Sequence, residues 1–196
     1  MSAEHGRLIA NLAMVGVVAE LDESSARVRV DADGMLTDWI PWIERRAGPG
    51  VRTWSAPEVG EQVFIVCPYG DPCQAVVVGS IYQDVHPAPA SAKTVHRTEY
   101  ADGSVVEYDR AAAALTVNVG AGRVIVNCGA AEVHASDSVT LDTPLTRTTG
   151  DLRVDGKIDA AGDIATPNEV KAGAVGLKSH HHTAQGATAP TTAAQA

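Results

Sequence analysis

The stretch Leu115-Thr116-Val117-Asn118-Val119 decides how this 196-residue chain is interpreted. Its apolar side chains fall on one face and its polar side chains on the other, which is the period-two pattern of a half-buried β-strand. The apolar face needs a covering partner, yet few bulky residues follow Tyr108 and no helical pattern is present that could cover a sheet. The surface that covers this apolar face must therefore come from outside the neighbouring residues.

The surrounding C-terminal half contains further short segments with the same alternating pattern. Each is followed within a few residues by a turn-forming Gly, Asp or Asn. With the first stretch included, the segments are residues 104–109, 115–119, 123–128, 139–142 and 152–154. Alone, they would leave exposed strand edges and too little buried area for stability. Identical chains wound about a common axis would pair these edges and bury the small apolar faces, which predicts an intertwined oligomeric β-helix. A monomeric sandwich or solenoid is the alternative, because short strands fit both.

The N-terminal half differs in pattern. Residues 4–14 have apolar side chains at helical spacing and predict a short helix. Turn residues then separate five predicted strands, and five short strands in about 70 residues fit a small barrel of the OB-fold type. The predicted strands are residues 16–21, 27–31, 38–43, 62–67 and 75–82.

A segment with Pro87, Pro89 and several alanines has the composition of an extended linker. The predicted organisation is therefore a helical arm, a barrel, a linker, a β-helix and a tip. Their boundaries are 1–13, 14–83, 84–93, 94–170 and 171–196, the last including an Ala/Thr-rich tail.

The composition and charge of the chain argue against several classes of function. The chain is 45% apolar but only 4% aromatic, so Val, Ala, Leu and Ile supply most of its hydrophobic mass and favour slim β-structure. A formal net charge of −9 would repel a phosphate backbone, which argues against nucleic acid as a partner. Three cysteines without zinc-type spacing predict small buried thiols in a reducing compartment. The segment before the apolar residues 8–19 lacks the net positive run of a signal peptide, and Asn11 interrupts the apolar stretch, so we expect folding in the cytoplasm.

Three of the seven histidines stand together in Ser179-His180-His181-His182. In an extended segment His180 and His182 project to the same side, roughly 6.6 Å apart along the strand, while His181 points away. One chain then offers two imidazoles, and three chains around an axis would offer six, enough for an octahedral iron, nickel, copper or zinc ion. A register slip of one residue would instead place His181 on the axis with three nitrogens. A polar His run that binds metal weakly, without a structural purpose, is the rival interpretation.

Several short phrases together make the chain resemble a known family, the baseplate assembly protein V of contractile-tailed phages, found also in Mu-like phages and R-type pyocins. The phrases are Gly16-Val17-Val18, Trp39-Ile40-Pro41-Trp42, Arg46-Ala47-Gly48, Trp54, Pro57-Glu58-Val59-Gly60-Glu61-Gln62-Val63, Pro68-Tyr69-Gly70-Asp71 and Ser179-His180-x-His182. The resemblance runs nearly end to end.

This resemblance implies an all-β homotrimer: an N-terminal OB-fold barrel followed by an intertwined trimeric β-helix needle with a metal-binding tip. It implies the central spike of a virion baseplate, mounted on a hub or tube-adaptor protein and driven through the host outer membrane when the sheath contracts. It also implies one iron ion per trimer, held by His180 and His182 of each chain.

An enzymatic role is not expected, because no Gly-x-Ser-x-Gly elbow and no His-Glu-x-x-His motif occurs in the sequence. Two other functions stay open. An OB-like head could bind oligosaccharide on a trimeric stalk, with Trp39, Trp42 and Trp54 as a stacking platform, although such residues more often fill cores or subunit contacts. The second open function is that of a spike of a type VI secretion-like machine, to which most of the same structural arguments apply.

Overall fold

The computed structural model describes residues 3–182, with side chains from Glu4 onward. The predicted Ala/Thr-rich tail at residues 183–196 lies outside the described residues. The chain divides into two compact units, residues 1–128 and 129–196. The predicted domain boundaries stay predictions.

The described chain is mostly β with little helix, as the sequence predicts. The helix α1 spans Ala3–Ala10, and two 3₁₀ turns span Pro68–Gly70 and Pro72–Gln74. The strands are β1 Ala13–Asp22, β2 Arg27–Ala32, β3 Met35–Leu36, β4 Gln62–Val66, β5 Val76–Ser80, β6 Val95–Glu99, β7 Val105–Asp109, β8 Ala114–Asn118, β9 Lys171–Ala172 and β10 Val175–Gly176.

Strands β1 to β5 form one antiparallel sheet in the order β3-β2-β1-β4-β5. Alternate side chains point inward, so Val28 and Val30 of β2 and Val63 and Ile65 of β4 are fully buried. They pack with a ring of other small apolar residues, namely Val18, Ala32, Ile40, Cys67, Ala75 and Val77. Each fully buried Val or Ile contributes roughly 1.5–3 kcal/mol, so this aliphatic cluster is the main stabilising element of the head.

The segment at residues 37–43 closes this sheet into a barrel. Val28 and Ile40 exchange two backbone hydrogen bonds of 2.9 Å, and Val77 of β5 donates to the Pro41 carbonyl at 2.9 Å. The same segment therefore bonds to β2 on one side and to β5 on the other. A continuous strand over 38–43 was expected, but only isolated bridges at Ile40 and Trp42 are present. Pro41 has no N–H to donate, which interrupts the ladder between them.

Helix α1 is shorter than the predicted 4–14. Its last turn is closed by the Asn11 N–H donating to the Arg7 carbonyl at 3.1 Å. Ala13 and Met14 already belong to β1, where they pair with Val66 and Ile65. Because ladder hydrogen bonds with β4 outweigh a further helical turn, the helix ends before the apolar pattern does.

The cysteines differ from expectation in part. Cys67 is buried in the barrel core, and this burial raises the pKa of its thiol. Cys73 and Cys128 are free and exposed, so the prediction of buried thiols is wrong for both. Cys73 lies in a 3₁₀ turn at the surface, where its small side chain meets no core.

Beyond the barrel, β6, β7 and β8 form an antiparallel meander. The predicted strands at 104–109 and 115–119 correspond to β7 and β8 within one residue. Strand β6 was missed, because its His96-Arg97-Thr98 centre is polar and masks the alternation. One face of the meander carries Val106 and Tyr108 of β7 opposite Val117 and Leu115 of β8. All four side chains are exposed.

Among the described residues, no strand is present between Asn118 and Lys171. The predicted strands at 123–128, 139–142 and 152–154 are therefore not formed in the single chain. Every residue from 120 to 168 is exposed. A strand exists only through ladder hydrogen bonds to a neighbour, and within the described residues of one chain these segments have none.

Residues 151–174 instead show a regular six-residue period. They read as four consecutive units, DLRVDG, KIDAAG, DIATPN and EVKAGA, and the chain bends at 155–156, 161–162 and 167–168. The second position of each unit is a large aliphatic residue, and all four are exposed by 43% to 72%: Leu152, Ile158, Ile164 and Val170. The third position carries Arg, Asp, Ala or Lys and points to the opposite side of an extended segment.

No helix within residues 3–182 has the length and apolar character needed to cross a bilayer.

Candidate functional site

The predicted His motif follows a two-stranded hairpin. Strands β9 and β10 pair Lys171 with Gly176 and Ala172 with Val175. The hairpin turn contains Gly173 at φ +64°, a left-handed conformation that glycine adopts without strain. A second turn follows β10, closed by the His180 N–H donating to the Gly176 carbonyl at 3.0 Å. We call residues 169–182 the tip hairpin.

The His180 ring is held by the backbone of this second turn. Its Nδ1 lies 2.9 Å from the Leu177 carbonyl oxygen and 3.2 Å from the Gly176 carbonyl oxygen. Carbonyl oxygens only accept hydrogen bonds, so both contacts are hydrogen bonds when Nδ1 carries a proton. The neutral tautomer with its proton on Nδ1 has its lone pair on Nε2, and this is a form of histidine that binds metal ions.

The structure brings the other predicted ligand beside it. The His180 and His182 rings are edge-to-face, with centroids 5.2 Å apart and planes at 86°. His180 is half-buried, whereas His181 and His182 are exposed. The two imidazoles predicted to share one side are thus neighbours at the end of the described chain.

The donor set of one chain is incomplete. Within residues 3–182 no group of three or more His, Cys, Asp or Glu side chains is arranged to hold a metal ion. The tip hairpin supplies two imidazoles, and the backbone contacts of His180 Nδ1 leave its Nε2 for coordination. This donor chemistry fits a borderline transition metal, provided that further copies supply the remaining ligands.

The surroundings of the ring are largely apolar. A pocket of about 340 Å³ lies against His180 and is otherwise lined by Val170, Lys171, Ala172, Val175 and Leu177. The pocket is open to solvent, since Val170 and Leu177 in its walls are 43% and 68% exposed.

Sequence reasoning missed two residues of the tip hairpin. The Glu169 Oε1 atom accepts a hydrogen bond of 2.6 Å from the Lys178 backbone N–H. Gly176, which is buried, packs against the Glu169 carboxylate. Three of the four six-residue units begin with an acidic residue, so the sequence alone did not distinguish Glu169 from Asp151 or Asp163.

The head carries a second concave surface. An open groove of about 650 Å³ runs beside the barrel and includes Trp42, Pro57, Tyr82 and His86 among its walls. Trp42 contacts Trp54 edge-to-face, with ring centroids 5.3 Å apart and planes at 69°. These two rings are therefore not coplanar and do not form one continuous flat surface.

Trp39 is placed differently, because the Arg29 guanidinium lies 5.9 Å from the centroid of its ring. The three tryptophans predicted as a possible platform are therefore split between two environments.

Glu44 fixes the loop that carries these rings. Its carboxylate accepts hydrogen bonds from the Thr53 hydroxyl at 2.7 Å, the Ser55 N–H at 2.6 Å and Trp42 Nε1 at 3.2 Å. The Thr53 and Ser55 bonds, which favour the ionised form, lower the pKa of Glu44. The network ties residues 53–55 to the barrel, and its role is structural.

Comparison with known proteins first defines the class. Residues 14–82 match a protein family described as the type VI secretion system/phage-baseplate injector OB domain. The matched segment is the five-stranded barrel, so the fold and the match together define an injector OB-domain protein.

A relative then defines the family. Over 148 residues the chain is 38% identical to the protein called Spike protein of Escherichia phage P2, an alignment that covers 72% of this chain and 70% of that protein. The chain belongs to the phage baseplate spike family, as the resemblance in the sequence indicated.

Proposed function

We propose that the protein is the homotrimeric central spike of a contractile phage tail or pyocin baseplate, and that it pierces the host outer membrane when the sheath contracts. The observation that carries the proposal is a row of exposed aliphatic side chains in the C-terminal unit, one from each six-residue unit. We call Leu152, Ile158, Ile164 and Val170 the aliphatic row. Kinship to a spike protein supports a place in the tail baseplate of the virion. The role is mechanical, and no catalytic step is part of it.

The six-residue units provide a physical reason for trimer formation. Four aliphatic side chains, one per unit, remain more than 40% exposed in the single chain. Burying each one would contribute roughly 1.5–3 kcal/mol. Bends every six residues prevent one chain from folding a sheet onto this row, whereas two sister chains winding alongside would cover it and complete the missing ladders.

The meander supports the same assembly. Its face with Val106, Tyr108, Leu115 and Val117 is exposed. The opposite face carries charged residues, among them Arg97, which pairs with Glu99 at 2.7 Å and Glu107 at 3.0 Å. Leaving this apolar face in water forgoes the free energy that its burial would supply. Packing of the apolar faces of three copies would stabilise the meander.

In the proposed tip, His180 and His182 of three chains supply six imidazole nitrogens to one iron ion on the threefold axis. The ion, when bound, would crosslink the tip hairpins of three chains, which stiffens the point of the spike. The Nδ1 proton of His180, held by two backbone carbonyls, directs Nε2 to the ion. The proposed partners are the other two copies, the baseplate hub or tube adaptor and the host outer membrane.

The test is native mass spectrometry of the purified full-length chain combined with elemental analysis. We expect three chains and one transition-metal ion per trimer. A His180→Ala/His182→Ala double variant should lose the ion and remain trimeric, because the aliphatic rows rather than the tip hold the chains together. His181→Ala is the matched control and should keep the ion.

Two results would contradict the proposal. A well-folded monomer at micromolar concentration would remove the need for a threefold needle. Loss of metal in His181→Ala alone would place the ligands in the alternative register.

A further inference from the structure

The Glu169 carboxylate caps the second turn of the tip hairpin. Its Oε1 atom lies 2.6 Å from the backbone nitrogen of Lys178, nine residues ahead in sequence. The bond is made to the main chain and not to the lysine ammonium, and within residues 3–182 Glu169 forms no ion pair. A half-buried carboxylate that accepts a backbone N–H makes a strong, charge-assisted hydrogen bond.

Gly176 provides the space for this carboxylate. A Cβ atom at position 176 would lie 2.6 Å from the Glu169 Cδ atom and 2.9 Å from its Oε1 atom. It would also lie 2.5 Å from the Ser179 Oγ atom. Both neighbours are the ends of flexible side chains, so a Cβ atom here would shift the carboxylate. Glycine leaves the room in which Glu169 reaches the backbone beyond it.

The bonded peptide is the one that holds the imidazole. The peptide plane between Leu177 and Lys178 contains the N–H that donates to Glu169 and the carbonyl whose oxygen is 2.9 Å from His180 Nδ1. Because a peptide unit is planar and trans, fixing its N–H fixes the direction of its carbonyl.

The preceding peptide is fixed in the same way. The Leu177 N–H donates to the Val170 carbonyl at 2.7 Å. The carbonyl of that peptide, at Gly176, lies 3.2 Å from His180 Nδ1. Two carbonyl oxygens therefore orient the imidazole, and each belongs to a peptide whose N–H is itself hydrogen-bonded. One N–H donates to the Glu169 side chain and the other to the Val170 carbonyl.

We infer that Glu169 is a positioning residue for metal binding: it acts through the Leu177–Lys178 peptide to hold the His180 ring with Nε2 presented to the ion. The inference rests on the proposed metal-binding tip. Gly176 is the second component, since any larger residue would displace the carboxylate.

The test compares Glu169→Ala with Glu169→Gln in the full-length trimer. Metal affinity is measured with Ni²⁺ or Co²⁺ in competition with a chelator, and the visible spectrum of bound Co²⁺ reports the ligand geometry. We expect Glu169→Ala to weaken binding by about tenfold or more, the usual effect of losing a group that orients a ligand. Glu169→Gln should restore near-native affinity and spectrum, because its amide oxygen still accepts from the Lys178 N–H.

Two further variants serve as controls. Asp163→Ala removes an acidic residue at the equivalent position one unit earlier, and it should leave the affinity unchanged. Gly176→Ala keeps Glu169 but fills its space, and it should weaken binding as Glu169→Ala does. Native mass spectrometry confirms that each variant remains trimeric.

The inference is overturned if Glu169→Ala binds metal with wild-type affinity, or if Glu169→Gln is as defective as Glu169→Ala. In the second case charge, not the hydrogen bond, would be responsible. These outcomes differ from failure of the proposed tip itself, in which the His180→Ala/His182→Ala variant would retain whatever metal the wild-type protein binds.

Discussion

Thr37 is a buried polar residue whose hydroxyl completes the barrel, since its side chain is only 1% exposed. The Oγ1 atom accepts from the Val30 N–H at 2.9 Å, and the Thr37 N–H donates to the Val30 carbonyl at 2.9 Å. The Arg29 Nε atom donates to the Thr37 carbonyl at 3.0 Å. Strand β3 ends at Leu36, so this side chain takes over the hydrogen bond that a longer strand would have made.

Replacing Thr37 by Val should destabilise the head by about 2 kcal/mol, because the Val30 N–H is then buried without a partner while the shape is conserved. Urea denaturation followed by tryptophan fluorescence measures the change. Thr53→Val is the matched control: its hydroxyl is hydrogen-bonded to Glu44 but exposed, so the effect should be well under about 1 kcal/mol. Equal effects of the two substitutions would show that burial does not decide the cost.

At the scale of elements, the contact between α1 and the 3₁₀ turn at Pro68–Gly70 depends on one glycine. Gly70 has φ +69°, and a Cβ atom there would overlap the backbone of Leu8 in α1. The helix is therefore seated against the barrel through backbone contact, which only a residue without a side chain permits.

Gly70→Ala should cost at least about 1 kcal/mol more than Gly34→Ala. Gly34 has a similar φ of +80°, but a Cβ atom there would meet no other atom within 4 Å, so its substitution costs only the conformational term of about 1 kcal/mol. The excess at Gly70 comes from displacement of α1. Urea denaturation gives the energies, and faster tryptic cleavage at Arg7 should report the displaced helix in Gly70→Ala alone. Unchanged cleavage would mean that the helix does not move.

At the scale of the whole molecule, we expect the exposed aliphatic residues of the six-residue units to determine the proposed assembly. Ile164 belongs to the aliphatic row and is 72% exposed in the single chain. Its neighbour Ala165 occupies the third position of the same unit and faces the other way in an extended segment. The two positions allow the inner and outer faces of the proposed needle to be compared with the same substitution.

Ile164→Asp should weaken the trimer by at least about 2 kcal/mol per chain, because an aliphatic contact is lost and a charge is placed in an apolar row. Sedimentation equilibrium should detect dissociation, and particles assembled with the variant should permeabilise the outer membrane less. Ala165→Asp adds the same charge on the outer face and should leave assembly intact. Dissociation by both variants to the same extent would contradict the assignment of faces.

Local sequence predicted much of the N-terminal barrel and only part of the C-terminal half. Alternation in Arg27–Ala32 and Gln62–Val66 identified β2 and β4, because both strands bury every second side chain in one core. The segment around Pro41 was predicted as a strand and proved to be two bridges. The proline was visible in the sequence, but its two different partners, β2 and β5, were not. The segments at 123–128 and 152–154 alternate as strands do, yet a single chain gives them no neighbour.

The sequence by itself determined that this protein is mostly β, that its N-terminal half is an OB barrel, that it belongs to a baseplate spike family and that His180 and His182 stand two residues apart. Tertiary structure alone decided that residues 37–43 close the barrel, that α1 rests on Gly70 and that Glu169 reaches the turn holding His180. The difference between what sequence and tertiary structure determine has one physical cause. Periodicity and composition are properties of neighbouring residues, whereas closure, close approach and hydrogen bonds across nine or more residues exist only when the chain has folded back on itself.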